Sequence, residues 1–366
     1  MGIIVLLSFI KFLTFNANFK YYYIRSKMAM TKKVTMQDVA NRVGVSKVTV
    51  SKALRGNKDI SESMKERIKQ AAAETGYVFN SDGKSKENES TKCIGIISAE
   101  RYYGQEDYFY IDLYRILSNY LERVHYTCMF HILDFDNEKN QVVPTMLEDK
   151  KVDGLIILGQ VSKEFVKKIV KLNVPLVFLD FYYDKVNVDS INTDNFFGTY
   201  EITNNLIEKG HENIAFVGNL NLTSSIQDRF LGYYKSILEY KLSFKNSWII
   251  NDRTDDNIWL DIPLPEDMPT AFVCNCDKTA LLLIEKLKSS GYRVPEDYSV
   301  VGFDDSIHAI QSNPKISTVK VDLDEMARVA IKMISKKIND VETQYGRVMI
   351  KGKLVMRDST KKLIKI

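Results

Sequence analysis

The sequence predicts an all-α helix-turn-helix module followed by an α/β body of two doubly wound parallel-sheet subdomains. Two observations carry this prediction. Near the N-terminus, three short stretches with apolar residues at helical spacing are separated by turns. After Cys93, apolar runs that are typical of buried strands alternate with amphipathic helical stretches, which is the rhythm of βαβ units. The 366 residues are enough for two or three such domains.

The pattern divides the chain into four segments. Residues 33–80 form the helical module, 81–92 a polar linker, and 93–360 the α/β body, whose two subdomains we expect to meet near residue 190. Residues 1–30 are apolar, but their apolar run is shorter than the roughly 20 residues of a membrane span and lacks the positive start of a secretory signal. We expect this leader to be an upstream start or disordered.

The helical module should contain three helices around one small core. Thr35, Ser46 and Ser61 can each cap the N-terminus of a helix, and Gly44 can end the first one. The expected helices span residues 36–43, 47 to about 55, and 62 to about 74. The expected core residues are Met36, Val39, Ala40, Val43, Val50, Ala53, Leu54, Met64, Ile68 and either Ala71 or Ala72.

The second helix is a candidate for DNA recognition. It presents Lys47, Val48 and Lys52 near its N-terminal half, where a recognition helix contacts base edges in the major groove. Hydroxyl side chains at the helix start can contact phosphates. The expected DNA-contacting residues are Thr35, Ser46, Lys47, Val48, Thr49, Ser51, Lys52 and Arg55.

Positive charge is concentrated in this module. The segment from Thr31 to Lys58 has seven Lys or Arg residues against one Asp, although the whole chain has a net charge of only +4. A basic block beside a near-neutral body indicates one module that meets an anion, with Arg42, Arg55 and Lys58 as counter-charges for phosphates. The alternative is a solvated basic face on a helical hairpin that binds protein.

The body should consist of two parallel sheets in series. The expected strands are residues 93–98, 126–133, 154–159, 175–180, 213–218, 271–275 and 298–303, with helices between them. Ligands of open α/β sheets bind beyond the carboxyl ends of the strands. Two facing subdomains would therefore enclose a cleft that can close around a small molecule.

Several stretches resemble the LacI/GalR (lactose-repressor) family of bacterial transcription regulators. "VTMQDVANRVGVSKVTVSKAL", beginning at Val34, resembles that family's helix-turn-helix, and "GYVFN" at 76–80 resembles the end of its headpiece. "TDN" at 193–195, "GHENIAFVGN" at 210–219, "DRFLGYY" at 228–234 and "VPEDYSVVGFDDS" at 294–306 resemble its effector-binding core, which is similar to periplasmic sugar-binding proteins. The resemblance spans most of the chain after the leader.

The resemblance implies an effector-responsive, sequence-specific DNA-binding regulator in the cytoplasm, as a repressor of a sugar or other carbon-source operon. Its expected partners are near-palindromic operator DNA, a small effector such as a sugar, and a second copy in a homodimer. It implies neither a cofactor nor a metal.

The resemblance also assigns the effector-binding residues. The family holds its effector with an Arg at the position of Arg229 and an Asp at that of Asp304. Aromatic side chains could stack on a sugar face, with Tyr102 and Tyr103 as the first choice. Phe181, Tyr182 and Trp259 are further candidates. We expect Asp277 to cap the following helix, and Cys276, in place of the family's Asn, to remove an amide from the pocket.

The linker departs from the family. Its hinge helix usually carries a leucine that wedges into the minor groove, whereas this chain has Lys86 there and no apolar side chain from Asn80 to Lys92. We predict that the wedge is absent or weak and that Lys84 and Lys86 contact phosphates instead.

Two other functions compete with this interpretation. The apolar leader and the body would also suit a membrane-tethered or exported solute-binding protein. An enzyme is disfavoured because the sequence contains no phosphate-cradling glycine loop, nucleophile elbow or metal-ligand helix, and its four histidines are scattered. The cysteines, Cys93, Cys128, Cys274 and Cys276, lack the spacing of a zinc site or a disulfide framework, so we expect free thiols, with a Cys274–Cys276 redox or metal pair as the alternative.

Overall fold

The computed structural model describes residues 34–54, 57, 59–75, 77, 90–103, 108–340 and 343–363. The chain divides into two compact units, residues 1–89 and 90–366. The leader at 1–30, most of the linker at 81–92, and the residues Arg55 and Lys58 lie outside the described residues, so the predictions for them remain predictions.

The N-terminal unit contains the three predicted helices: α1 (Met36–Val43), α2 (Lys47–Leu54) and α3 (Glu62–Thr75). Thr35 caps α1 in a capping box, in which its hydroxyl accepts from the Asp38 backbone N–H and the Asp38 carboxylate accepts from the Thr35 backbone N–H. Gly44 ends α1 in the left-handed region, at a φ of 78°. The sequence predictions of these caps are confirmed.

The core of this unit is small and matches the predicted faces. Its buried members are Val39, Ala40, Val50, Ala53, Ile68, Ala71 and Ala72. Met36, Val43, Leu54 and Met64 are partly buried around it. Because so few side chains are buried, each contributes a large share of the hydrophobic stabilisation of the unit.

The first sheet of the body has six parallel strands in the order β11-β5-β4-β3-β1-β2. Parallel pairing places Ile94 of β1 opposite Cys128 of β2 and Gly154 of β3. The strands are β1 (Cys93–Ala99), β2 (Thr127–Leu133), β3 (Gly154–Leu158), β4 (Leu176–Leu179), β5 (Asp189–Thr193) and β11 (Arg347–Ile350). The helices are α4 (Phe109–Arg123), α5 (Phe135–Lys139), α6 (Thr145–Glu148), α7 (Lys163–Val170) and α12 (Leu323–Asn339).

The second sheet has four parallel strands in the order β7-β6-β8-β9. These are β6 (Ile214–Val217), β7 (Ile249–Ile250), β8 (Ala271–Cys274) and β9 (Ser299–Val301). The helices are α8 (Asn195–Glu208), α9 (Ser224–Glu239), α10 (Asp277–Ser289) and α11 (Ile307–Gln311). A separate antiparallel pair joins β10 (Thr318–Lys320) to β12 (Lys353–Val355).

A single subdomain boundary near residue 190 is too simple. Strand β5 at 189–193 completes the first subdomain, but the chain later returns to it through α12 and β11, which pairs with β5. The chain therefore crosses between the subdomains three times, once after β5 and again on either side of the α12–β11 segment. The sequence pattern identified the βαβ rhythm but not this return, because a short edge strand such as β11 carries no strong signal of its own.

The contact between α8 and α9 is close because Gly232 lies where the helices approach. A Cβ atom at this position would collide with the carbonyl oxygen of Phe196. This close approach positions α9, whose buried residues include Arg229, against the start of α8.

Candidate nucleic-acid interface and effector cavity

The outward face of α2 carries the residues that the sequence predicts for base contact. Lys47, Val48 and Lys52 are exposed, and Val48 is 65% accessible to solvent. The core takes Val50 and Ala53 from the opposite face of the same helix. An apolar β-branched side chain held in water at the start of a short helix suits contact with base edges such as a thymine methyl.

The start of α2 is organised by two hydroxyl side chains. The Thr49 backbone N–H donates to Ser46 Oγ over 3.1 Å, and the two hydroxyl oxygens lie 2.8 Å apart. Ser46 therefore caps α2, as predicted. Ser51 is half-buried, whereas Thr35, the cap of α1, is exposed.

Lys52 and Arg42, two of the cations predicted to meet DNA, are paired with carboxylates. Lys52 Nζ lies 3.6 Å from Asp59 Oδ2, and Arg42 Nη2 lies 2.7 Å from Glu74 Oε2. The Arg42 pair ties α1 to α3 but is itself exposed, so the prediction of Arg42 as a counter-charge for phosphate stays a prediction. The Lys52 pair is exposed and is of the kind worth about 0–1 kcal/mol, so an incoming phosphate or base can displace Asp59.

The body contains a cavity of about 400 Å³ between its two subdomains. The first subdomain lines it with Arg101, Tyr102, Phe109, Tyr110, Gln160 and Asp180. The second subdomain lines it with Leu222, Thr223, Ser225, Ile226, Arg229, Arg253, Asn257, Trp259, Asn275, Cys276, Lys278 and Asp304. This volume is in the range of small-molecule sites.

Arg229 and Asp304, the predicted effector ligands, are brought together in this cavity. Arg229 is 6% exposed, and its Nη2 lies 3.3 Å from Asp304 Oδ1. Its Nε donates to Asn195 Oδ1 over 2.7 Å, and its Nη1 donates to the Asn275 carbonyl over 2.6 Å. The guanidinium also lies over the Phe303 ring, 3.9 Å from its centroid. Arg229 is thereby locked in one orientation before any ligand arrives.

Asp304 occupies a strained backbone position. Its φ is 110°, outside the conformations that a non-glycine residue usually adopts. The strained turn is held because the Asp304 backbone N–H donates to the Val319 carbonyl over 2.8 Å. Strain of this kind is concentrated at functional sites, where it aims a side chain at a ligand.

Asp180 is a cavity residue that the sequence analysis missed. It directly follows β4, has a φ of 69°, and is 7% exposed. Its Oδ2 accepts from the Tyr110 hydroxyl over 2.8 Å, whereas its Oδ1 is buried without a hydrogen-bond partner in the described part of the chain. Burial raises the pKa of the Asp180 carboxyl, an effect that the Arg229 guanidinium partly opposes. Its place at the carboxyl end of a parallel strand was the signal that could have identified it.

A second group of side chains surrounds Arg253. Its guanidinium lies over the Trp259 ring, 4.0 Å from the centroid, and its Nη2 donates to Asp252 Oδ2 over 2.8 Å. Asp252 is fully buried and also accepts from the amide of Asn275 and the hydroxyl of Thr279. Asn275 lines the cavity beside Cys276 and its amide is held by Asp252, and the prediction that Cys276 removes an amide from the pocket stays a prediction.

The aromatic predictions are only partly correct. Tyr102 and Trp259 line the cavity. Tyr103 does not, because its ring packs edge-on against Phe130, with ring centroids 5.6 Å apart. Phe181 is fully buried in the core of the first subdomain, and the Tyr182 hydroxyl donates to Asp228. The neighbouring side chains of Tyr102 and Tyr103 point in different directions, one to the cavity and one to Phe130. The amino-acid sequence alone does not give these directions.

Asp277 does not cap α10 as predicted. It is the first residue of the helix, and its carboxylate accepts from the Ser306 backbone N–H over 2.7 Å and from the Thr318 hydroxyl over 2.6 Å. Burial raises the pKa of Asp277 to about 7, against the lowering effect of these hydrogen bonds. Asp277 thus ties the start of α10 to β10 and to the turn that carries Asp304.

Polar contacts bridge the two subdomains beside the cavity. Gln160 Oε1 accepts from the Ser224 backbone N–H over 3.1 Å, and its Nε2 donates to the Leu222 carbonyl over 3.3 Å. The Tyr182 hydroxyl donates to Asp228 Oδ1 over 2.9 Å, and the Arg347 guanidinium covers the Tyr182 ring. These contacts join the two walls of the cleft in this structure.

Within the described residues, no group of histidine, cysteine and carboxylate side chains is arranged to hold a metal ion. The same part of the chain contains no helix with the length and apolar character that crossing a membrane requires. All four cysteines are free thiols.

Two parts of the chain match models of known families. Residues 35–80 match the family model "Bacterial regulatory proteins, lacI family", and residues 203–360 match "Periplasmic binding protein-like domain". The chain is 29% identical to the transcriptional repressor PurR of Haemophilus influenzae, over 90% of this chain and 99% of PurR. It is 26% identical to the ribose operon repressor of the same organism, over 89% of this chain and 98% of the repressor.

A solved structure has the same fold. The lac repressor dimer bound to operator and the anti-inducer ONPF superposes with a TM-score of 0.62 at 22% identity, covering 90% of this chain and all of that one. The two family matches, in the expected order, agree with a helix-turn-helix unit joined to a two-subdomain body. Residues 35–80 therefore form a helix-turn-helix of the lacI type. Joined to the periplasmic-binding-protein-like body, they make the chain a DNA-binding transcriptional regulator rather than an enzyme or an exported solute-binding protein.

Proposed function

We propose that this chain is a cytoplasmic repressor that reads operator DNA with α2 and responds to a small molecule held in the cavity between its subdomains. The observation that carries the proposal is the pairing of a prepared DNA-binding face with a polar cavity around a locked Arg229. Lys47, Val48 and Lys52 are the proposed base contacts. Thr35, Ser46, Thr49, Ser51 and Arg55 are the proposed phosphate or helix-start residues.

The proposed effector ligands are Arg229, Asp304 and Tyr102, with Asp180 added from the structure. The lac repressor binds its operator as a dimer, and by analogy we propose a homodimer that places two α2 helices on a near-palindromic site. One relative is named a ribose operon repressor, and the regulated genes here are proposed to serve the use of a carbon source.

The proposed switch is closure of the cleft. A ligand that bridges the two walls favours the closed arrangement by its difference in affinity for the closed and open states. Linkage then requires that the ligand and DNA alter each other's affinity by the same factor, whether the ligand acts as inducer or corepressor.

The direct test is a selection of operator sequences from a random duplex pool with the full chain, followed by Lys52→Ala. The loss of Lys52 should weaken binding to the selected site by roughly tenfold and relax its base preference, because a good base contact is worth about 1–3 kcal/mol. Lys69→Ala is the matched control, since Lys69 is exposed on α3 and lies 3.4 Å from Glu66. Equal losses in the two variants, or none in Lys52→Ala, would contradict the proposal.

A further inference from the structure

Charge is unevenly distributed over the cavity wall. Among the described residues, its lining includes four cationic side chains, Arg101, Arg229, Arg253 and Lys278, and two carboxylates, Asp180 and Asp304. Three of the four cations are paired: Arg101 with Glu138 at 2.6 Å, Arg229 with Asp304 at 3.3 Å, and Arg253 with Asp252 at 2.8 Å. In each pair the carboxylate offsets the charge of the arginine, so Lys278 is the lining cation whose charge no described carboxylate offsets.

Lys278 has no carboxylate partner among the described residues. The contact that the structure gives its ammonium is with the Trp259 ring, 4.9 Å from the centroid. Lys278 lies in the first turn of the thirteen-residue helix α10, where the aligned peptide dipoles already create a positive potential. A cation is unfavourable at this end of a helix, so its placement here, facing a cavity, calls for an anion that is supplied from outside the chain.

The opposite wall of the cavity contains a buried carboxylate, Asp180. Asp180 lines the same cavity from the first subdomain, and its Oδ1 is buried without a hydrogen-bond partner among the described residues. An oxygen that is buried without a donor is unfavourable, and a ligand hydroxyl that donates to it would relieve this cost. This is independent of the charge on Lys278, and it excludes an anionic group of the ligand from that wall.

Resting on the effector function proposed above, we propose that the effector is a polyol of monosaccharide size that carries an acidic group, a carboxylate or a phosphate. The acidic group lies against Lys278 beside Trp259. A hydroxyl of the same molecule donates to Asp180 Oδ1, and the Arg229–Asp304 pair orients neighbouring hydroxyls. Because the acid and the hydroxyl bind opposite walls, such a ligand bridges the cleft.

The test measures binding to the full chain by calorimetry for matched pairs of sugars. D-glucuronate, D-galacturonate and glucose 6-phosphate are compared with glucose and galactose, and hypoxanthine represents the purine bases. We expect an acidic sugar to bind at least about tenfold more tightly than its neutral partner, with an affinity that falls as salt rises. The preference between the uronates and the phosphate identifies which acid the site takes.

Lys278→Met keeps the aliphatic stem and removes the charge, and should abolish the preference for the acid, whereas Lys278→Arg should retain it. Lys286→Met is the control, since Lys286 is on the same helix but pairs with Asp261 outside the cavity lining. Tightest binding by a neutral sugar or by hypoxanthine, no binding by any acid, or an undiminished preference in Lys278→Met would each overturn the inference. Those results leave operator selection by the wild-type chain untouched, and failure of that selection would instead contradict the proposed function.

Discussion

At the scale of single residues, the cavity combines rigid and unsatisfied groups. Arg229 is fixed by Asn195, Asn275 and Asp304, so it offers a ligand an orientation that needs no further ordering. Asp180, in contrast, is not fully satisfied. Burial disfavours its charged form, and its Oδ1 has no hydrogen-bond donor among the described residues. The cavity is therefore ordered around Arg229 without a ligand, and a ligand would supply the hydrogen bond that Asp180 lacks.

Asp180→Asn should weaken effector binding and at the same time stabilise the free protein near neutral pH. The folded chain raises the pKa of Asp180 through burial, so the native state binds the proton more tightly than the unfolded state does. Wild-type stability should therefore rise, relative to the variant, as the pH falls through the window between the raised folded pKa and the ordinary unfolded value. Urea unfolding of both proteins across this window measures the difference. A variant that is less stable at neutral pH would contradict the account.

The sequence predicted the headpiece better than the cavity. Thr35, Gly44 and Ser46 act through neighbours within a few residues, so their roles can be deduced from local spacing. Asp180, Arg253 and Lys278 come from separate elements, and they meet only because parallel strands align their carboxyl ends. Tyr103 shows the same limit, since its direction depends on packing against Phe130 in another strand.

At the scale of elements, the DNA-reading helix depends on the turn before it. Gly44 adopts a φ of 78° and its N–H bonds to the Ala40 carbonyl, which directs the chain into α2. Among the described residues, no atom lies within 4 Å of the position that a Cβ atom would take at Gly44. A substitution there is therefore disfavoured by the positive φ and not by a steric clash. The loss of stability on replacing Gly44 therefore measures the strain of the turn conformation alone.

Gly44→Ala should lower the free energy of unfolding of the headpiece by about 1 kcal/mol and reduce DNA affinity in proportion to the unfolded fraction. Gly291→Ala is the matched control, because Gly291 has a φ of 88° and equally open surroundings in the body. Hydrogen exchange of the headpiece amides separates the two variants. Equal effects of both substitutions on those amides would argue against a local role for Gly44.

At the scale of the whole body, closure of the cleft is held by contacts outside the cavity lining. The Tyr182 hydroxyl belongs to the first subdomain and its acceptor Asp228 lies on α9, directly before Arg229. The threefold crossing of the chain allows the two subdomains to rotate as units about short connections. A bond across the cleft next to Arg229 therefore links closure to the ligand site.

Tyr182→Phe should weaken effector affinity about fivefold although Tyr182 does not line the cavity, because the closed arrangement loses one hydrogen bond to a carboxylate. Tyr183→Phe is its matched control, since the Tyr183 hydroxyl donates to the Val161 carbonyl within the first subdomain. Calorimetry with the selected ligand compares the three proteins. An equal loss in the control would show that general packing, and not closure, is responsible.

The central claim is that the cavity controls the affinity of α2 for DNA, and one titration tests it most directly. The affinity of the full chain for its selected operator is measured with and without a saturating amount of the ligand that calorimetry identifies. We predict a change of about fivefold or more in either direction, the range of a 1–3 kcal/mol coupling, with a reciprocal change in ligand affinity on DNA. An operator affinity that stays the same while the cavity is fully occupied would contradict the account.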